Sequence, residues 1–289
     1  MASVMTASMR EVRNGHRRRR VNSAVVYFVA LVLIGLMLAP VAYIILSGFR
    51  TNSEITVDPS GLPGVWQFGN YAEVLASEVF WREFGNSTIT SVATTVLVVV
   101  LGLMASYVLA RYEFRGRGVI YALFAAGLMF PMTVAITPLY ILVRSIGLMN
   151  SLPGVIAPQV AFALPITIII LVPFLQAIPR ELQEAAAIDG ASRLGFFWRM
   201  VVPLSMPGVV TVGILAFIGS WNSYLLPLFI LNNEASFTLP LGVQAFASQY
   251  SVDTARVFAF TSLSMIPALV FFSLFERRIV GGLTGAVKG

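Results

Sequence analysis

Five stretches of this chain, Asn22–Ser47, Asn86–Ala110, Gly118–Val143, Leu152–Ala177 and Leu204–Leu231, hold no Asp, Glu, Lys or Arg and are dominated by apolar residues. A sixth, Val257–Phe275, is nearly as long and is expected to run on to about Ile279. About 20 apolar residues in a helix cross the hydrocarbon of a bilayer. Six such runs exceed what a water-soluble core can absorb, and only 11% of the residues are charged, against about a quarter in soluble domains. The first run is longer than the core of a secretory leader and lacks a small-residue cleavage pattern, so it reads as an uncleaved span. The expected fold is all-α: a polytopic membrane protein with six transmembrane helices forming one domain over residues 22–280. A basic tail, 1–21, precedes it and a short tail, 281–289, follows.

The net charge of +6 would raise the question of nucleic acid in a soluble protein. In a membrane protein it bears on orientation, because Lys and Arg accumulate in cytoplasmic loops. Of the 19 Lys and Arg residues, Arg50, Arg82, Arg144 and Arg256 fall on one side of the expected spans. The other fifteen fall on the side of the N-terminus, the C-terminus and the loops after the second and fourth spans. Both termini are therefore expected to be cytoplasmic, and no nucleic-acid partner is implied. The loop Phe49–Gly85 carries more acid than base and is expected outside.

Several chemistries are disfavoured by residue content. The chain has no Cys and one His, His16, in an Arg-rich tail, so thiolate or His-based metal and catalytic sites are not expected. Lys288 is the sole lysine, which excludes the phosphate-binding loop GxxxxGK[ST]. No ionisable residue falls securely inside an expected span, which weighs against both an ion-coupled carrier and a membrane-embedded enzyme. The polar residues near the spans include Asn86, Gln159, Ser220, Trp221, Asn222 and Tyr224. Such groups suit sugar hydroxyls and sugar faces, and they suit helix-to-helix hydrogen bonds and packing equally well. Prolines recur in and beside the spans, at Pro131, Pro138, Pro158, Pro165, Pro173 and Pro227 among others, and each removes a backbone donor and bends its helix.

Two loops have structure of their own. Asn70–Phe84 starts with a candidate N-cap and spaces Tyr71, Leu75 and Val79 four apart, which predicts an amphipathic helix on the outer membrane surface. The more informative loop is Ile178–Pro203. Pro179 stands where a first helical turn tolerates proline, Glu181 and Glu184 place negative charge near the helix N-terminus, and Gly190 supplies a stop. A short helix over about Pro179–Asp189 is predicted, with Arg180 one turn from Glu184 and able to pair with it. A second helix is expected after Ser192, before Pro203 and Pro207. By its pattern alone this loop could receive another protein or pack on its own bundle.

At this loop the sequence resembles the permease subunits of bacterial ABC importers. The matching residues are Glu184-Ala185-Ala186, then Asp189-Gly190-Ala191, then Met200-Val201-Val202-Pro203. Met200 and Val202 stand where Ile and Leu are usual. Within that family the chain is similar to the maltose-type, carbohydrate-uptake permeases, with further matches at Trp221-Asn222, at Tyr224-Leu225-Leu226-Pro227-Leu228 and at the C-terminal Gly282–Gly289. The resemblance implies a type I ABC importer permease fold in the bacterial cytoplasmic (inner) membrane. It implies a second, different permease subunit, two ATPase subunits that bind ATP and Mg, an extracytoplasmic sugar-binding protein and a sugar substrate. This chain itself would bind no cofactor. Glu184, Ala185, Ala186, Asp189, Gly190 and Ala191 would contact the ATPase, with Pro203 passing motion to the spans.

Overall fold

The structure, a computed structural model, describes residues 2–246 and 253–287, with side chains described over 25–244 and 253–275. Every regular element among the described residues is helical. In order these are α1 (Ala2–Ser47), α2 (Asn52–Val57), α3 (Phe68–Ala76), α4 (Glu78–Arg111), α5 (Arg117–Gly127), α6 (Met132–Ser145) and α7 (Leu152–Gln176). There follow α8 (Arg180–Ile188), α9 (Arg193–Phe196), a π-helical turn (Phe197–Val201), α10 (Val202–Leu204), α11 (Met206–Trp221), α12 (Leu225–Ile230), α13 (Leu239–Gly242) and α14 (Thr254–Val287). Short 3₁₀ turns occupy Glu234–Ser236 and Val243–Phe246.

Among the described residues, four helical segments are long and apolar enough to cross a bilayer unaided: Val25–Ser47, Glu78–Arg111, Leu152–Gln176 and Thr254–Phe275. The third and fifth expected spans are not single straight helices. The pair α5 and α6 is bent by 102°, and the segment Arg193–Leu204 meets α11 at 76°. The first bend follows from Pro131, which caps α6, lacks an N–H and steers the preceding Phe130 away from helical angles. Hydropathy does not register such a break, because Leu128, Met129 and Phe130 are apolar. The fifth run breaks again at Asn222–Tyr224, so its tail forms the separate α12.

The chain divides into two compact units, Met1–Tyr71 with Asp253–Ser262, and Ala72–Val252 with Leu263–Gly289. In the first, Arg50 is 1% exposed and its guanidinium donates to the carbonyls of Glu54, Asp58 and Pro59. It thereby adds side-chain donors where α2 ends: the Glu54 carbonyl also accepts from the Asp58 N–H and the Asp58 carbonyl from the Gly61 N–H. The other end of α2 is closed by a capping box, with Thr51 and Glu54 exchanging side-chain to backbone bonds. Asn70, expected to cap a helix, instead donates to the carbonyls of Gly48 and Arg50, and α3 begins two residues earlier, at Phe68. The surface helix expected to reach Phe84 ends at Ala76. From Glu78 the chain is already in α4, so the second span starts eight residues ahead of the expected Asn86.

In the second unit α4, α7 and α11 pack on one another. Their core joins Leu103 and Leu109 of α4, Ile168, Leu171 and Leu175 of α7, and Val212 of α11, together with Phe196, Phe197 and Val201. Gly102 lets α4 approach α7 closely, since a Cβ there would collide with the methyl group of Thr167. Small residues at such crossings are what helix packing in lipid favours. The helical backbone of α14 continues to Val287, so most of the expected C-terminal tail is helical, and Lys288 and Gly289 lie outside the described residues. The side chains of the N-terminal tail do so as well.

Candidate functional site

The predicted short helix in the loop after α7 is present as α8, Arg180–Ile188, with Pro179 at its N-cap and Asp189 at its C-cap. It ends by the mechanism the sequence suggested. Gly190 takes φ +78°, the Gly190 N–H donates to the Ala187 carbonyl at 3.1 Å and the Ala191 N–H to the Ala186 carbonyl at 2.9 Å. These two bonds, around one left-handed residue, are the Schellman arrangement. The next helix also starts as predicted, with the Ser192 hydroxyl accepting from the Gly195 N–H.

α8 is seated on the bundle along one side. Leu182 and Ala186, four residues apart, are half-buried against the core. Arg111, the last residue of α4, donates to the carbonyls of Ile178 at 2.6 Å and Pro179 at 3.3 Å. The clamp ties the entrance of α8 to the end of α4. Arg180 pairs with Glu113 at 3.0 Å and not with Glu184 as expected, because Glu113, in the loop after α4, lies within its reach. Both of those side chains are exposed, so the pair contributes at most about 1 kcal/mol.

The rest of α8 faces outward. Glu184, Ala185, Asp189, Gly190 and Ala191 are exposed, whereas Ala186 turns inward. Ile188, which the sequence reading did not single out, is 86% exposed. It is two residues past the seated Ala186 and therefore on the far side of the helix, a position that periodicity marks. Beside this surface a cleft of about 310 Å³ is lined by Arg111, Arg180, Gln183, Glu184 and Ala187. Pro203 is not part of the surface. It lies in α10, after the π-helical turn where the Val202 N–H reaches back to Phe197, and before Ser205, whose hydroxyl bonds the Val201 and Val202 carbonyls at the bend.

The six polar and aromatic candidates near the spans separate into two groups. Gln159 accepts from Ser220 at 2.6 Å and Thr94 at 3.1 Å, a buried junction of α7, α11 and α4, while its Nε2 is buried without a partner. Trp221 is buried, donates to the Ser264 carbonyl and stacks on Phe217. Asn86 donates to the carbonyls of Ala235 and Phe237, fastening the loop after α12. Asn222 and Tyr224, by contrast, are exposed at the break between α11 and α12.

Two further features were missed. Asn150, at φ +56°, brackets that same loop through its side-chain oxygen to the Asn232 N–H and its carbonyl to the Ser236 hydroxyl. An Asn-Ser pair between two apolar runs was a turn signal for it. Glu83, brought into α4 by the early helix start, is 1% exposed, and its Oε2 has no hydrogen-bond partner. It occupies the second turn of α4, three residues ahead of the expected span Asn86–Ala110.

A bundle of apolar helices, with four candidate spans and two bent pairs among the described residues, defines a polytopic membrane protein. Residues 98–280 match the family described as binding-protein-dependent transport system inner membrane component, and the chain belongs to it. It is 38% identical over 251 residues to the diacetylchitobiose uptake system permease protein NgcG of Streptomyces coelicolor, covering 86% of this chain and 83% of that one. It is also 38% identical, over 260 residues, to the trehalose transport system permease protein SugB of Mycobacterium tuberculosis, covering 89% and 94%. A crystal structure of a bacterial ABC transporter that imports the acidic polysaccharide alginate shares the fold, with a TM-score of 0.76 at 22% identity over 89% of this chain and 96% of that one.

Proposed function

We propose that this chain is one of two different permease subunits of an ATP-driven, binding-protein-dependent importer. The importer moves a sugar or sugar-like solute into the bacterial cytoplasm by alternating access. The observation that carries this reading is α8, with Glu184, Ala185 and Ile188 exposed on a helix fixed at both ends. The carbohydrate relatives support the substrate class. Each bent pair counts as one span, giving six, and the Arg distribution supports cytoplasmic termini on the side of α8 in the inner membrane.

In this reading Glu184, Ala185, Asp189, Gly190 and Ala191 meet a cleft on an ATPase subunit, and Ala186 seats the helix. ATP and Mg belong to the two ATPase subunits. Their closure displaces α8, and Pro203 with the bend at Ser205 passes the motion to α11. The loops 49–85 and 232–256 receive an extracytoplasmic sugar-binding protein; residues 247–252 of the second lie outside the described residues. Asn222 and Tyr224 face the solute, while Asn86, Gln159, Ser220 and Trp221 hold the helices around it.

Glu184→Lys and Gly190→Pro test the assignment. Both variants are expected in the membrane at normal levels, with sugar uptake lost and ATP hydrolysis no longer responsive to loaded binding protein. Unchanged uptake by both would overturn it. Because the chain has no Cys, Ile188→Cys supplies a single thiol whose crosslink to the ATPase checks the contact directly. An ion-coupled carrier is the second reading, favoured by the buried Glu83 alone; it requires uptake that persists without any ATPase and collapses with the ion gradient.

A further inference from the structure

On the flank of the second unit a shallow groove of about 300 Å³ runs beside the end of α4. Met104 and Val108 of α4 form one wall and Leu194 and Trp198 the other, all four exposed, with buried Phe197 as the floor. The one charged lining residue is Arg193. It has no ion-pair partner among the described residues, whereas Glu113 is taken by Arg180. The Trp198 indole N–H likewise has no acceptor among the described residues, its ring meeting Phe197 edge to face at 5.1 Å.

The depth of this groove is set by α4. Met104 and Val108 lie in its last two turns, before Arg111 closes the span. The groove is thus apolar along the last turns of a candidate span and carries its one cation, Arg193, at the rim. A tryptophan with a free N–H at that level is the usual interfacial residue, apolar in body and polar at its tip. A groove of this kind, apolar along its length and singly positive at its rim, is complementary to an amphiphile with one negative charge.

We infer that the groove binds an anionic phospholipid, one acyl chain lying between Val108 and Trp198 and the phosphate held by the Arg193 guanidinium and the Trp198 indole. The apolar length beside a candidate span and the single cation at its rim together match an anionic lipid, which brings an acyl chain and a negative phosphate in one molecule. Such a lipid would brace the segment that follows α8 against the membrane, independently of what the transporter carries.

The test is native mass spectrometry of the full chain in detergent, titrated with phosphatidylglycerol or with phosphatidylcholine of the same acyl chains. Phosphatidylglycerol is expected to be retained about fivefold better, the equivalent of ~1 kcal/mol for one basic residue at an anionic lipid surface. Arg193→Gln should remove that preference and Arg193→Lys keep it, while Val108→Trp, which fills the groove, should lower retention of both lipids. Far-ultraviolet circular dichroism confirms that each variant is folded. Equal retention of the two lipids, or a preference that survives Arg193→Gln, overturns the inference. So does a photocrosslinker at Leu194 that captures another subunit in native membranes instead of lipid, or inorganic phosphate that displaces phosphatidylglycerol completely.

Discussion

Replacing Gly190 isolates the backbone's contribution to the α8 surface. A Cβ built on Gly190 meets nothing within 4 Å, so a side chain there is unopposed by packing and its whole effect comes from φ +78°. An L-residue with a Cβ loses about 1–2 kcal/mol in the left-handed region, which weakens the closed turn by roughly five- to thirtyfold. Asn enters that region more readily than Ala, so Gly190→Asn should fall between Gly and Ala. Gly190→Pro is the extreme case. Its φ is locked near −65° and it has no N–H, so it removes the bond to Ala187 and misdirects the Ala191 N–H from Ala186. Hydrogen exchange at the Ala191 amide in the purified chain reads the turn, and its protection should decrease in the order Gly, Asn, Ala, Pro. Coupled sugar uptake in the assembled importer should follow the same order. Protection in Gly190→Ala equal to that of the parent, or Asn below Ala, would refute the reasoning that the left-handed turn sets the end of α8.

The loop 49–85 should respond to acid through Glu54, whose pKa is lowered chiefly by the Thr51 N–H, with desolvation opposing. A lowered carboxylate stabilises the fold above its ordinary pKa and loses that contribution as pH falls through the folded value, so proteolysis of residues 51–65 should accelerate below about pH 4.5 and Glu54→Gln should flatten that dependence. Gly102→Val should destabilise the packing of α4 on α7 by ~1–3 kcal/mol, the range for overpacked cores, measured as a lower thermal midpoint. Adding Thr167→Ala should recover part of that loss, and no recovery would place the strain elsewhere.

What the sequence exposed and what it hid divide along physical lines. α8 was legible to within a residue because its limits are local: a proline that suits a first turn, acids near the start and a glycine that can turn left-handed. Long apolar runs likewise announced the spans. The breaks did not, since Leu128-Met129-Phe130 is as apolar as the helices it separates and only the missing N–H of Pro131 distinguishes it. The roles of the polar residues were hidden for another reason. Asn86 and Asn222 are the same chemical group, yet one holds the carbonyls of a loop 149 residues away and the other lies exposed at a helix break. Residue type states what a side chain can bond, and only the fold decides whether a partner of its own chain arrives first.

The positions of those bonds bear on how a push on α8 would travel. Its entrance is held by Arg111 at the end of α4, and it follows α7 after only three residues, so α8 cannot move far without drawing on both helices. α4 and α7 are in turn locked together at Gly102 and Thr167, which favours their moving as one body. Further along the same two helices Thr94 and Gln159 meet Ser220 of α11. Hydrogen bonds to a shared carbonyl oxygen can be exchanged at little net loss when another donor is near, and the unpaired Nε2 of Gln159 leaves this junction short of a complete set. A displacement that arrives as a rigid shift of α4 with α7 would therefore meet α11 at this junction, where the bonds to the Gln159 oxygen would have to rearrange.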